Sequence, residues 1–247
     1  MRRITWLGHA TVLIETASGA RIVTDPLLRG RVAHLQRHVP PAAALDAVDA
    51  VLISHVHMDH LDRPSLRRLA RPGTRIVVPE GAAGPVHGLP FGTVSQLRAG
   101  DRVRAGADVE IEAVPAWHPS SRWGPVGPKL EALGFLLDGI WFAGDTELDD
   151  EMERLRGRVD VALLPAWGWG PSLGPGHLDP QQAAQAVALV QPRIAIPMHW
   201  GTYLPYGLHR RHGHLLRTPG PQFAEHVKRL APETKVELLR PGQSVEL

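Results

Sequence analysis

What most restricts the fold of this chain is a succession of short apolar runs, rich in Val and Ile and broken by Gly, Pro and Asp. They read "ITWLGHATVLIET", "ARIVTDPL", "DAVLISH", "TRIVVP" and "DVEIEAVPAWH", then "LGFLLDGIWFAGD", "DVALLPAW", "RIAIPMHWG" and "KVELLRPG". Each is of strand length, and β-branched residues suit a pleated, buried surface. Helical patterns lie between some of them. "RPSLRRLA" is short, and "DDEMERLRGR" places acids first and bases last, as the helix dipole favours. "DPQQAAQAVALVQ" opens with Asp179 as N-cap and Pro180 in the first turn, and "GPQFAEHVKRLA" closes the series. Strands crowd the chain before residue 145 and alternate with helices after it. That order predicts an α/β protein of two sheets with helices outside, not one doubly wound sheet. No repeat or long linker divides the 247 residues, so 1–247 reads as one domain.

Composition removes several function classes. With 43% hydrophobic residues the chain can bury a sizeable core, and a formal net charge of +2 announces neither a nucleic-acid nor a membrane partner. There is no cysteine. Disulfides, a thiolate nucleophile and Cys-ligated zinc are therefore all excluded, and any metal must be held by nitrogen and oxygen. The 14 histidines make such ligands plentiful. The start, "MRRITWLGHATVLIE", is interrupted by polar residues well before a signal-peptide core forms. No run approaches the roughly 18 apolar residues of a membrane span. The expectation is a cytoplasmic protein without stable membrane insertion; no motif specifies an oligomeric state.

Residues 53–62, "ISHVHMDHLD", concentrate the chemistry: His55, His57, Asp59 and His60 follow directly on an apolar run. A strand ending in "LIS" would deliver His55 to a loop at a sheet edge, where sites usually sit. His55 and His57 are two apart and can point the same way in an extended turn. Asp59 and His60 would begin the next helical turn and point elsewhere, which suits two adjacent metals. Three more candidates close strand-like runs: His118 after "IEAVPAW", Asp145 after "IWFAG" and His199 after "IAIPM". A polar cluster without metal would leave these imidazoles and carboxylates competing for few donors.

The pattern His55-x-His57-x-Asp59-His60, with His118, Asp145 and His199, resembles the metallo-β-lactamase superfamily. The segments "TWLGHATVLIE", "TDPLL", "FAGDTEL", "GHLDPQQAAQAV" and "MHWGTY" look like two of its groups. These are the N-acyl-phosphatidylethanolamine-hydrolysing phospholipases D and the ascorbate-6-phosphate lactonases. The resemblance implies a four-layer αββα sandwich with a dinuclear metal site at one edge of the sheets. It assigns His55, His57 and His118 to one ion, and Asp59, His60 and His199 to the second, with Asp145 bridging. It implies that Asp25, in "VTDPLL", orients the histidine loop; read alone, Asp25 is equally a turn-initiating residue before Pro26. His177, in "GHLDP", would lie over the metals and serve the phosphate or the leaving group; read alone, it is a capping or surface histidine.

The reaction so implied is hydrolysis by a metal-bridging hydroxide, first on a phosphodiester, with a lactone or other carboxylic ester or amide as the alternative and a non-catalytic metal-binding protein as a distant one. Asp59 and His177 are the catalytic candidates. The two divalent ions would be zinc, with manganese or iron also compatible with nitrogen and oxygen ligands. Position 57 is His where di-iron relatives carry Glu, which favours hydrolysis. The first strand begins at Arg3 or Ile4 without the phospholipases' N-terminal extension, so their membrane docking is not expected here. Substrate candidates are Arg122, beside the loosely matching "PAWHPSSRWGPVGPK", and Trp167 and Trp169 in "WGWGPSLGPGH". Each also reads as a surface arginine or as packing under a loop. The tryptophans hint at an apolar or lipid-like small molecule. The segment 206–217, "YGLHRRHGHLLR", reads as a solvated basic loop, or more sharply as a lid for an anionic substrate. His9, in "LGHATV", reads as a hydrogen-bonded edge histidine. No basic stripe with interleaved aromatics points to nucleic acid.

Overall fold

Period-two alternation in the apolar runs decides which face of each strand meets which layer. Ile4 and Trp6, Val12 and Ile14, and Ala50 and Leu52 turn to one side; Leu13, Val23 and Val51 turn to the other. The computed structural model describes residues 1–41, 45–106, 109–121 and 129–247. Among these, two seven-stranded sheets carry most of the chain. The first runs in the order Ser244–Glu246, Arg3–Gly8, Thr11–Glu15, Arg21–Thr24, Ala50–Leu52, Arg75–Pro79, Thr93–Leu97. The second runs Lys235–Val236, Ile194–Met198, Val161–Pro165, Ile140–Phe142, Leu130–Leu137, Val109–Ser120, Arg102–Ala105.

The inner faces meet in a core that includes Trp6, Ile14 and Leu52 from one sheet and Phe135, Phe142 and Ile196 from the other. Outside the first sheet, Leu66 and Leu69 of helix Arg63–Leu69 pack on Val51, Ile76 and Val78. Outside the second, Ala184 and Val187 of helix Pro180–Val190 and Phe223 and Val227 of helix Pro219–Leu230 pack on Trp141, Ala162 and Leu164. This is the expected αββα sandwich. Asp179 caps its helix as the sequence predicts, accepting from Gln182 N while the Gln182 side chain accepts from Asp179 N. No helix among the described residues is long and apolar enough to cross a membrane.

Several expectations are corrected. "ITWLGHATVLIET" is two antiparallel strands, because Gly8 (φ 108°) and His9 (φ 56°) turn the chain back. "LGFLLDGIWFAGD" splits at Asp138 and Gly139, both at positive φ, as a two-residue hairpin of right-twisted strands requires. "DDEMERLRGR" forms only a short 3₁₀ segment, Asp150–Leu155, ended before Gly157 at φ 77°. Asp59 and His60 lie in a turn ahead of the helix, which starts at Arg63 behind the Asp62 cap. His118 stands inside its strand, which continues to Ser120; the pairing register shifts between Ala116 and Ser120. The third sheet, Tyr203–Pro205, Leu35–Arg37, Arg31–Val32, has no counterpart in the sequence reading.

Candidate metal centre

The carboxyl ends of parallel strands share one edge of the sandwich, and that edge carries the polar residues. Asp25 follows Arg21–Thr24, His55 lies three residues past Ala50–Leu52, Asp145 three past Ile140–Phe142, and His199 directly after Ile194–Met198. Asp25 and His199 hold positive φ, 35° and 61°, which turns each side chain off the line of its strand.

Hydrogen bonds fix which ring nitrogens are free. Asp25 Oδ1 accepts from Ser54 N at 2.7 Å and Oδ2 from Ser54 Oγ at 2.5 Å, so Ser54 Oγ in turn accepts from His55 Nδ1 at 2.9 Å. His60 Nδ1 donates to Asp25 Oδ2 at 2.7 Å, His118 Nδ1 to Gly176 O at 2.7 Å, and His199 Nδ1 to Trp167 O at 3.0 Å. Each Nδ1–H is thereby engaged, and each Nε2 is left to face the others.

Two groups of donor atoms result. His55 Nε2 and His118 Nε2 lie 2.9 and 3.0 Å from His57 Nδ1. His60 Nε2 lies 3.1 Å from His199 Nε2 and 3.7 Å from Asp59 Oδ2. Asp145 stands between them: Oδ2 is 3.1 Å from His60 Nε2 and 4.0 Å from His55 Nε2, and Oδ1 is 3.3 Å from His199 Nε2.

His57 Nδ1 faces two Nε2 atoms, and one proton on it can serve only one of them. Asp145 Oδ1 is moreover buried with no hydrogen-bond partner. Nitrogen ligands around one tetrahedral zinc would lie about 3.3 Å apart. The donor set, its spacing and the orphaned oxygen thus fit divalent cations. His55, His57 and His118 could hold one, and His60 and His199 with Asp59 another.

The electrostatics of the metal-free protein agree. Burial holds His118 down to about 4 and His199 to about 3, and burial with the neighbouring His60 holds His55 well below its ordinary value. These rings are neutral and ready to ligate. Burial also opposes charge on Asp145 and Asp59, but His199 and His60 for the first, and His60 and His9 for the second, leave both carboxyls well below their usual range. Burial lowers His60 too, yet the charges of Asp145, Asp59 and Asp25 outweigh it and raise the ring.

The cavity over these groups has a volume of about 360 Å³ and is lined by Val32, Leu35, Met58 and Trp169 together with Asp145 and His177. The three-stranded sheet supplies Val32 and Leu35, which carried no signal in the sequence because an isolated "VAHL" has no periodicity. His177 Nδ1 donates to Gly174 O (3.2 Å) and Pro175 O (3.1 Å), leaving Nε2 3.6 Å from Asp145 Oδ2. Trp169 lines the cavity, its ring edge-on to His34; Trp167 is absent from the described lining, and its indole donates to Gly170 O at 3.1 Å. Arg122 lies outside the described residues. Segment 206–217 folds as helix His209–His212 and a 3₁₀ turn, Gly213–Leu216, and Tyr206 N donates to His34 O beside the cavity. His9 is buried against the centre, and its Nε2 lies 3.0 Å from Asp59 Oδ2.

The comparisons with known proteins agree with this geometry. Residues 20–200 match the β-lactamase superfamily domain. A UPF0173 metal-dependent hydrolase of Methanopyrus kandleri is 32% identical over 99% of each chain. An N-acyl-phosphatidylethanolamine-hydrolysing phospholipase D of Caenorhabditis elegans is 29% identical over 81% of this chain and 64% of its own. Among solved structures, Igni18, a metallo hydrolase of Ignicoccus hospitalis, superposes with a TM-score of 0.72 at 23% identity, covering 99% of this chain and 97% of that one. The chain belongs to the β-lactamase superfamily, among its metal-dependent hydrolases, and carries the metallo-β-lactamase fold.

Proposed function

We propose that the protein is a dinuclear hydrolase, 1–247 acting as one unit, that cleaves a phosphodiester bearing an apolar group. The observation that supports it best is the placing of the buried Asp145 carboxylate between the two donor sets, with one oxygen unpartnered. In this reading His55, His57 and His118 hold one ion, Asp59, His60 and His199 the other, and Asp145 both. Zinc suits the donors best, with manganese or iron as alternatives. Two such ions, when bound, supply Lewis acidity and a shared water whose pKa falls toward neutrality.

The chain's own residues do the rest. Asp25 and Ser54 keep the free nitrogens of His60 and His55 pointed inward. His177, held through Nδ1, uses Nε2 to take a proton from water and pass it to the oxygen released as the P–O bond breaks. Val32, Leu35, Met58 and Trp169 exclude water and seat the apolar part of a small or lipid-like substrate. A second reading, a lactone or other neutral carboxylic ester, is favoured by that same wall, which among the described residues brings no Lys or Arg to the cavity.

The test is metal-dependent turnover of bis(4-nitrophenyl) phosphate beside an aryl ester and a model lactone, with wild type and Asp59→Ala. Diester cleavage that Asp59→Ala abolishes is the expected result. Turnover of the ester or lactone alone transfers the assignment to the second reading, and no metal-dependent turnover of any of them sinks both.

A further inference from the structure

The motif residue left without a role by the sequence, His9, touches both halves of one ligand set. We infer that His9 is a positioning residue for the Asp59, His60, His199 half of the centre, holding Asp59 with its ring and His199 with its backbone. The inference rests on the two-ion reading above.

Its backbone is built for a fixed position. Gly8 and His9 both have positive φ, and a Cβ at Gly8 would fall 2.9 Å from Thr202 Cγ2, so the turn is pressed against the segment after His199. His9 N donates to Thr202 Oγ1 at 2.9 Å, and Thr202 Oγ1 donates to Trp200 O at 3.0 Å. His9 O accepts twice, from Trp6 Nε1 at 2.8 Å and from His199 N at 2.9 Å. The second bond anchors the very residue that adopts a left-handed φ of 61° to aim its imidazole inward.

The ring completes the arrangement. It is 1% exposed, lies 4.0 Å from the His199 ring between centroids, and meets Tyr203 edge-on at 5.4 Å. Packed so, the ring is held in place, and its Nε2 meets Asp59 Oδ2 at 3.0 Å. Asp59 sits on a turn, with 14% of its side chain exposed, and would otherwise sample several rotamers. A donor fixed by burial removes that freedom. His9 also offers a ring nitrogen within 4.8 Å of donor atoms of Asp59, His60 and His199, close enough for a ligand. A nitrogen that donates its proton to a carboxylate has no lone pair for a cation, so the hydrogen bond assigns it the positioning role.

The experiment titrates metal-free protein with Zn²⁺ by calorimetry, comparing wild type, Asp59→Ala, His9→Phe and His9→Gln. Phenylalanine keeps the packed ring and removes the donor; glutamine restores an N–H of similar reach. We expect two ions in wild type, and in His9→Phe one ion at wild-type affinity with the other bound 10–100-fold more weakly, the usual loss when a ligand's hydrogen-bond partner is removed. His9→Gln should recover most of that loss. Wild-type affinity for both ions in His9→Phe, or equal weakening of both, overturns the assignment. So does failure of His9→Gln to rescue, which would make the role one of packing. A loss as large as that in Asp59→Ala would instead make His9 a ligand. A single ion in wild type refutes the two-ion reading itself, and the assignment with it.

Discussion

Asp25 Oδ2 accepts the Nδ1–H of His60 at 2.7 Å, with both side chains fully buried. The same carboxylate accepts from Ser54 N and Ser54 Oγ, so one buried group sets the free nitrogen of His60 directly and that of His55 through Ser54. A buried carboxylate with three donors is stable only while all are kept.

Asp25→Asn keeps the shape and loses the charge, and it turns an acceptor toward at most two of those donors. We expect metal affinity to fall roughly 10–100-fold, read by competition with a chromophoric chelator. An unchanged affinity would mean that Asp25 serves only the turn before Pro26.

His177→Ala separates catalysis from metal binding. The side chain touches backbone carbonyls and faces Asp145 at 3.6 Å, so its loss should leave metal content as in wild type. If it handles the leaving group's proton, kcat should drop on the order of 10²–10⁴-fold for a poor leaving group. A nitrophenolate, which departs without a proton, should suffer far less. Equal losses on both substrates would remove the proton-transfer role.

Metal-free protein should lose stability in acid. His118, held at about 4, and His199, at about 3, are neutral when folded below the ordinary value of 6.5 at which they protonate when unfolded. The unfolded chain therefore binds more protons in that window, and stability is full above 6.5 and falls as pH drops toward 4 and 3. His60 has the opposite sign: raised by its three carboxylates, it contributes below 6.5 and loses its contribution as pH rises through its raised value. Two lowered rings, joined by the lowered His55, outnumber it. Thermal melts at pH 7 and pH 5 should show a lower Tm at pH 5, and a flat profile would contradict the burial argument.

The local pattern carried much of this. Spacing within "HVHMDH" already brings several donors to one turn, because residues on a short loop after a buried strand cannot separate far. Strand-like runs followed by His118, Asp145 and His199 pointed to one sheet edge, since parallel strands end together. The two-sheet architecture and the Asp179 cap were legible for the same reason, as alternation and capping are written in consecutive residues.

Tertiary structure decided what consecutive residues cannot encode. Two turns at positive φ cut expected single strands in two, because a hairpin's direction depends on what the returning strand meets. Leu35–Arg37 pairs with Tyr203–Pro205 to build the apolar wall, although neither segment signals the other. His9 reaches Asp59 across 50 positions, and Asp25 reaches His60 across 35. Sequence determined which side chains could ligate and roughly where the chain would present them. Only the packing of one sheet on the other brought their free nitrogens within about 3 Å, because such distances are set by register and layer contact, which no local pattern contains.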